Sequence, residues 1–163
     1  NMLGKRNPKI YGSETYDDLI NRMNDKAAKM GIQLATFQSN SEGAIIDCLQ
    51  EAYTDGTEGI IINAGAYTHY SYAIHDALEI LSIPKIELHI SDVDNREDFR
   101  KISVISDVCD MRISGHGTDG YIEAIEEMEM TGHDFFVFRD EEKGCVSMVY
   151  KRNDGRYGYI ETE

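Results

Sequence analysis

A chain of 163 residues with 41% apolar side chains has room for one good hydrophobic core and a small appendage. Its formal net charge of −14 argues against a nucleic-acid-binding surface, because phosphates repel such a field, and no apolar run is long enough to cross a membrane. The three cysteines form no CxxC pair, so neither a disulfide framework nor a zinc site is indicated, and a reducing cytosol fits best.

The chain begins with a basic loop, residues 3–12, which contains two glycines, one proline, three cations and Tyr11. Loops on a rigid scaffold often carry function. Cations close in sequence, such as Arg6, can lower the pKa of the Tyr11 phenol and make it a proton-transfer group near neutral pH. The alternative is an ordinary basic loop whose tyrosine packs on its neighbours, and the loop taken alone favours this alternative.

Strand-like and helix-like segments alternate along residues 13–130. The predicted strands are residues 33–38, 59–63, 84–90 and 111–114. The predicted helices have apolar faces that include Leu19 and Met23, Ile45 and Leu49, Ile74 and Leu78, and Tyr121 and Ile125. The first helix is expected to begin after Thr15 and to end at Gly31. This alternation predicts an α/β fold with a parallel sheet, in which ligands bind beyond the carboxyl ends of the strands.

Polar side chains mark the ends of two predicted strands. Glu87 and His89 lie on the same side of one strand, because side chains alternate with period two. A carboxylate beside an imidazole suits a general acid, but the pair is equally consistent with a buried contact that has no catalytic duty. Asn63 ends another strand and can donate to a substrate or oxyanion, or simply start a turn.

Three other charged or titratable side chains are candidates for ligand binding. His69 is either a ligand donor or the start of a helix, and Asp76 follows seven residues later. Arg100, together with Arg96, can bind a small carboxylate, because guanidinium forks match that geometry. The alternative is a solvated charged helix start, which is favoured when these residues are taken alone.

The composition changes near residue 131. Residues 135–138, 146–151 and 157–160 are predicted to form three strands joined by two turns, as an antiparallel β-meander. Three strands bury too little surface to be stable alone, so this appendage is expected to pack on the main domain or on a second copy of itself. The predicted domains are residues 1–130 and 131–163.

Five segments, taken together and in this order, resemble type II 3-dehydroquinate dehydratase. They are LGKRNPKIYGSET (3–15), FQSNSEGAIID (37–47), IINAGAYTHYSYAIHDAL (61–78), IELHISDVDNREDFR (86–100) and SGHGTDGY (114–121). The resemblance implies a flavodoxin-like α/β fold, a parallel sheet with helices on both faces, and a dodecamer. It also implies a lyase that dehydrates 3-dehydroquinate to 3-dehydroshikimate with no metal or cofactor.

The resemblance assigns five catalytic positions. It implies that Tyr11 is the base that removes the proton next to the ketone, and that Arg6 lies nearby in a mobile lid and keeps the tyrosine acidic. Asn63 is implied to help hold a water that stabilises the enolate. His89, oriented by Glu87, is implied to donate the proton to the leaving hydroxyl.

Five further positions are implied to bind the substrate. The resemblance assigns His69, Arg100 and the backbone at Ile90 and Ser91 to the substrate's hydroxyls and carboxylate. It assigns Asp76 to a substrate contact, made within the subunit or from the adjacent one. One departure is Ser-Asp-Val-Asp at residues 91–94, where the family has Ser-Asn-Val-His, which adds negative charge at this edge.

A second departure concerns the start of the sheet. The family has a buried strand and then Gly-Pro-Asn, with an active-site asparagine, ahead of the segment that starts here at Asn1. That first strand belongs between residues 33–38 and 59–63. Three alternatives follow: an active lyase, a catalytically impaired relative that oligomerises through its tail, or an incomplete or fused chain in which residues 135–138 fill the vacant position, since unpaired strand backbone is costly.

The tail carries a resemblance of its own. Residues 126–139 (EEMEMTGHDFFVFR) and 149–161 (VYKRNDGRYGYIE) are similar to the C-terminal domain of long-form ribosome hibernation-promoting factor. The resemblance implies a homodimerisation module. The ribosome-binding domain of that family is not present in this sequence, so ribosome binding is not implied.

Overall fold

Seven α-helices and β-strands lie before residue 132 in the described part of a computed structural model. The structure describes residues 2–5 and 13–129, the end of a helix at 130–131, and the backbone of strands at 135–139, 146–151 and 157–161. The elements are α1 (Tyr16–Met30), α2 (Glu42–Ala52), β1 (Ile60–Ile62), α3 (Tyr72–Glu79), β2 (Lys85–His89), β3 (Met111–Ser114) and α4 (Asp119–Thr131). Two compact units are distinguished, Asn1–Met128 and Glu129–Glu163.

Local capping chemistry determines where α1 begins and ends. Thr15 accepts a hydrogen bond from the amide of Asp18 at 3.2 Å, and the Asp18 carboxylate accepts one from the amide of Thr15 at 3.1 Å. This reciprocal pair satisfies two amides that a helix start leaves unpaired. At the other end Gly31 adopts φ 74°, a left-handed conformation that glycine tolerates well. Both predicted boundaries of this helix are confirmed.

The parallel sheet has β2 at its centre, in the order β1-β2-β3. Alternate side chains of the strands enter two separate clusters. Ile86 and Leu88 pack against Ala124 of α4 on one face. On the other face, Ile62 of β1 packs with α2 and α3. Helices therefore cover both faces, and the predicted parallel α/β fold is confirmed.

The predicted strand at residues 33–38 is wrong, because the structure assigns this segment neither to a strand nor to a helix. Its sequence favours extended backbone, but a strand also needs a neighbouring backbone to complete its hydrogen bonds. Within the described residues β1 is hydrogen-bonded only to β2, and the parallel sheet has three strands instead of the four predicted.

The C-terminal unit contains the predicted meander. Its strands are β4 (Phe135–Arg139), β5 (Val146–Lys151) and β6 (Tyr157–Glu161), paired antiparallel in that order. Because β4 is hydrogen-bonded to β5 in a separate sheet, the prediction that residues 135–138 complete the parallel sheet is wrong. No helix within the described residues has the length and apolar character needed to span a membrane.

Candidate active site

Two predicted site residues end adjacent parallel strands. Asn63 directly follows β1, and His89 is the last residue of β2. Because β1 and β2 are parallel neighbours, with Ile62 paired to Glu87, these ends lie at one edge of the sheet. The carboxyl edge of an open parallel sheet is the usual position for a ligand.

Glu87 and His89 form the buried pair that the sequence predicts. Glu87 is 0% exposed and His89 is 6% exposed. The Nε2 atom of His89 lies 2.8 Å from Oε1 of Glu87. Since an ionised carboxylate only accepts hydrogen bonds, Nε2 carries a hydrogen and donates it. Within the described residues no partner contacts Nδ1, so this second ring nitrogen is the one available to a ligand.

Three hydroxyl groups also donate to Glu87. Thr68 Oγ1 lies 2.5 Å and Ser103 Oγ 2.7 Å from Oε1, and Ser106 donates to Oε2. Burial by itself raises the pKa of Glu87, but the hydrogen bonds from His89, Ser106, Thr68 and Ser103 outweigh it and lower the pKa to about 2. Glu87 is therefore an anion at neutral pH although it has no exposed surface. Sequence analysis missed all three hydroxyls.

Hydrogen bonds fix the amide of Asn63. Its Nδ2 donates to the hydroxyl of Tyr121 at 2.8 Å, and its Oδ1 accepts from the amide of Gly65 at 3.2 Å. Burial raises the pKa of Tyr121, against a lowering by the bond from Asn63, so the phenol is neutral near pH 7. The orientation of Asn63 is thus fixed, and one Nδ2 hydrogen remains for a ligand.

His69 is held against the segment that carries Arg100. Its Nδ1 lies 2.6 Å from the carbonyl oxygen of Ile102, and a carbonyl accepts, so Nδ1 donates and Nε2 is left as the second functional atom. The rings of His69 and Phe99 pack edge to face, with their centroids 5.7 Å apart. The predicted His69 and Arg100 are therefore positioned by neighbouring residues of one segment.

The two predicted arginines share one acidic side chain. Arg96 Nε lies 3.3 Å and Arg100 Nε 3.0 Å from Oε2 of Glu97. The Arg100 guanidinium also lies over the Phe99 ring, 4.7 Å from its centroid. Arg96 Nη1 donates to Ser91 Oγ at 3.1 Å. The two guanidinium groups therefore lie close together at this edge, and each forms an ion pair with Glu97.

Other hydrogen bonds at this edge of the sheet are accepted by backbone carbonyl groups and by the Asp92 carboxylate. The carbonyl of Ile90 accepts from the amide of Gly117 at 3.0 Å, and that of Ser91 accepts from Ser114 Oγ at 3.2 Å. Asp92 accepts from the amide of the residue two positions later and from Asn95 Nδ2, at 3.2 and 2.6 Å. The added acidic character of residues 91–94 is thus partly engaged in local hydrogen bonds.

Asp76 lies on α3 with a side chain that is 77% exposed. Within the described residues no contact joins it to another predicted site residue; its partner is Nδ1 of His75, at 3.0 Å. Its predicted substrate contact stays a prediction. Tyr11 and Arg6 lie outside the described residues, so their predicted roles also stay predictions.

One group in the described residues has the spacing of metal ligands, namely His75, Asp76 and Glu79, whose ligand atoms lie within 4.8 Å of one another. Both ring nitrogens of His75 face carboxylates, at 3.0 Å from Asp76 and 3.5 Å from Asp107. The hydrogen bond to Asp76 raises the pKa of His75, against a smaller lowering by burial. The two flanking carboxylates favour the protonated form of His75, which offers no lone pair to a metal, and the group is therefore described as an ion-pair cluster.

Comparisons with known proteins agree with this geometry. Residues 1–129 match the family model described as dehydroquinase class II, and residues 121–158 match the one described as sigma 54 modulation/S30EA ribosomal protein C terminus. Both resemblances stated from the sequence are therefore confirmed.

Individual relatives are similar over most of their own length. A 3-dehydroquinate dehydratase of Lachnoclostridium phytofermentans is 57% identical over 126 residues, which is 77% of this chain and 87% of that protein. The protein of the same name from Thermotoga neapolitana is 54% identical over 77% of this chain and 85% of its own. The crystal structure of type II dehydroquinase from Butyrivibrio crossotus superposes with a TM-score of 0.78 at 55% identity, covering 79% of this chain and 90% of that one.

Proposed function

The chain belongs to the class II dehydroquinase family, and from this premise we propose that it is a lyase that dehydrates 3-dehydroquinate to 3-dehydroshikimate in aromatic amino-acid biosynthesis. The observation that carries the proposal is the buried Glu87–His89 pair beside Asn63 at the carboxyl edge of the sheet. Relatives that are more than half identical bear the name of this activity, which favours an active enzyme over a catalytically impaired relative.

The proposed reaction separates proton removal from proton donation. Tyr11, kept acidic by Arg6, takes the proton from the carbon next to the ketone, and the electron pair moves onto the ketone oxygen as an enolate. A water held by Asn63 donates to that oxygen. The enolate then reforms the ketone and expels the hydroxyl, which leaves as water with a proton from His89. Before this step His89 carries a hydrogen on both ring nitrogens: Nε2 donates its hydrogen bond to Glu87, and Nδ1 gives its proton to the leaving hydroxyl.

Most of the residues proposed to bind the substrate lie near the Glu87–His89 pair in the sequence or at the same edge of the sheet. We assign the substrate hydroxyls and carboxylate to His69, Arg100 and the backbone at Ile90 and Ser91, with Asp76 contributing from the same or an adjacent subunit. The support is local: the carbonyl of Ile102 holds the His69 ring, and Arg100 lies two residues earlier on the same segment, close to Arg96. A guanidinium fork is suited to a carboxylate.

A direct assay of 3-dehydroquinate loss tests the proposal. Wild-type protein should convert the substrate, and Tyr11→Phe should lose at least about a hundredfold in kcat, since it removes the group assigned as the base. Tyr53→Phe is a matched control, because Tyr53 is 66% exposed at the end of α2 and should keep wild-type activity. Equal background rates for the wild type and Tyr11→Phe would contradict the lyase proposal.

We further propose that residues 131–163 form a dimerisation tail on a dehydratase domain of residues 1–130, within a homo-oligomer that has no nucleic-acid or membrane partner. The match of residues 121–158 to a C-terminal domain family and the small three-stranded sheet support the tail's role. Deletion of residues 131–163 should lower the number of subunits in the assembly, which is the mass from light scattering divided by the mass of one chain. An unchanged number of subunits would count against dimerisation through the tail.

We place the protein in the cytoplasm on the basis of its cysteines. Cys48 and Cys109 are free thiols, and burial raises the pKa of both, that of Cys109 to about 12. Two unpaired protonated thiols are typical of a reducing compartment.

A further inference from the structure

The carboxylate of Glu87 is surrounded by donors instead of water. Oε1 accepts from Thr68 at 2.5 Å, from Ser103 at 2.7 Å and from His89 at 2.8 Å, while Oε2 accepts from Ser106. Because the residue is 0% exposed, solvent cannot substitute for these donors. A buried anion with fewer donors would take up a proton more readily.

The direction of the Ser103 hydrogen bond follows from its other contacts. Its oxygen accepts from the amides of Ile105 and Ser106, at 3.2 and 3.1 Å, so both lone pairs are engaged. Its one hydrogen is directed to Glu87 Oε1 at 2.7 Å, a nearer and anionic acceptor, in preference to the Thr68 hydroxyl at 3.0 Å. Ser103 also shapes the turn that brings the Ser106 hydroxyl to Oε2, so the two serines act together.

These hydroxyls come from the segments that carry substrate-binding residues. Thr68 precedes His69, and the backbone amide of Val104 donates to the carbonyl of Thr68 at 2.8 Å. Ser103 follows Ile102, whose carbonyl holds the His69 ring. The segments that are proposed to bind the substrate therefore also supply hydrogen bonds to Glu87, the carboxylate partner of the general acid His89.

We propose that Thr68, Ser103 and Ser106 are positioning residues for the reaction: together they hold the Glu87 carboxylate as an anion with Oε1 facing Nε2 of His89. This hydroxyl cage fixes the orientation of the His89 ring, with Nε2 toward Glu87 and Nδ1 toward the substrate. The inference rests on the proposed lyase function for its kinetic consequences, but the state of the carboxylate can be measured without any activity.

Other charged or titratable groups also surround Glu87. Lys85 and His89 share its side of β2, and Arg112 occupies the paired position on β3. Cys109 is affected by the Glu87 charge, but burial is the first reason that its pKa is raised, to about 12. Direct titration of the Glu87 carboxyl group, instead of the kinetic pH profile alone, therefore identifies the group that a lost hydroxyl affects.

The test combines kinetics with direct titration of the carboxyl group. In Ser106→Ala, kcat should fall about tenfold with little change in KM, since one charge-assisted hydrogen bond is lost. Ser103→Ala should change kcat and KM together, because it also loosens the turn next to the His69 contact. Carbon-13 NMR of glutamate-labelled protein, assigned with Glu87→Gln, should show the Glu87 titration moved up by about one pH unit or more in each variant.

Two further variants separate positioning from a general loss of stability. Ser71→Ala removes a buried hydroxyl that donates to the Glu42 carboxylate at 2.6 Å, so it should lower the melting temperature without moving the pH profile. Thr68→Ser keeps the hydroxyl group and should retain the wild-type pH profile of the reaction. Thr68→Val removes the hydroxyl group and should change that profile. The proposal would be overturned if Ser103→Ala and Ser106→Ala both showed the same kinetic pH profile and the same Glu87 titration as the wild type.

Failure of the lyase proposal gives a different pattern. If the wild-type chain were inactive on 3-dehydroquinate, the proposed function would be wrong. The titration of Glu87 in the serine variants would still test whether the hydroxyl cage holds the carboxylate as an anion. If the wild type were active and the titrations did not respond to the serine variants, the cage alone would fall.

Discussion

Replacement of Glu87 by glutamine should remove a pH-dependent part of the stability. In the folded protein the hydrogen bonds from His89 and the three hydroxyls outweigh burial and lower the pKa of Glu87 from the ordinary 4.5 to about 2. The unfolded chain therefore binds the proton first as the pH falls. The stabilisation is complete above about pH 4.5 and is lost as the pH falls toward 2.

The difference between 4.5 and about 2 corresponds to about 3 kcal/mol of unfolding free energy near pH 7. Linkage predicts that about 1.4 kcal/mol of this is already lost at pH 3.5. Glu87→Gln has no carboxyl group to titrate, so its unfolding free energy should lack this component. The gap between the wild type and the variant should therefore narrow by about 1.4 kcal/mol between pH 7 and pH 3.5.

Urea unfolding of both proteins at equal concentration, followed at several pH values, measures this gap. Equal concentration matters because association stabilises the folded state by mass action. A gap that stays constant from pH 7 to pH 3.5 would refute the reasoning, since it would mean that Glu87 has the same proton affinity in the folded and unfolded states.

Three further changes test other contacts. Tyr121→Phe removes the hydroxyl that accepts from Asn63 at 2.8 Å, and we expect a loss of about 1 kcal/mol in urea unfolding and a several-fold lower kcat. Gly115→Ala should cost about 1–3 kcal/mol, because φ is +87° and the new Cβ would lie 2.9 Å from Cβ of Asp92; an unchanged melting temperature would contradict this. Hydrogen bonding to a neighbouring carboxylate raises the pKa of His75 above 6.5, so its stabilisation is complete below pH 6.5 and lost as the pH rises through the raised value. His75→Gln should therefore be more destabilising at pH 5.5 than at pH 8.5, and equal effects at both would be inconsistent with the ion pair.

Local sequence predicted the parts of this structure that local chemistry determines. Thr15 and Gly31 mark the ends of α1 because a cap needs only residues within one helical turn. Glu87 and His89 were predicted as a pair because period two is a property of any strand. Each of these predictions depends on residues that are close in the chain.

Parts that depend on a distant partner were not predictable in the same way. Residues 33–38 have strand character, but whether they join a sheet depends on a neighbouring backbone. Thr68, Ser103 and Ser106 lie 16 to 19 residues from Glu87 and come from two 3-10 segments and a turn, with no motif of their own. A buried glutamate in a predicted strand does indicate that donors must exist, but it does not identify which serines or threonines supply them.

A strongly acidic chain can still bind the proposed anionic substrate, because cationic side chains lie close to the proposed binding site. The formal charge is −14, yet two guanidinium groups, those of Arg96 and Arg100, lie together at the site edge, where each pairs with Glu97. Coulomb interactions between exposed charges fall off within a Debye length of about 8 Å at physiological ionic strength, so distant carboxylates weaken binding less than these adjacent guanidinium groups favour it. The buried Glu87 anion is not screened by salt in this way. One imidazole and three hydroxyl groups donate hydrogen bonds to it, and these donors stabilise its negative charge inside the protein.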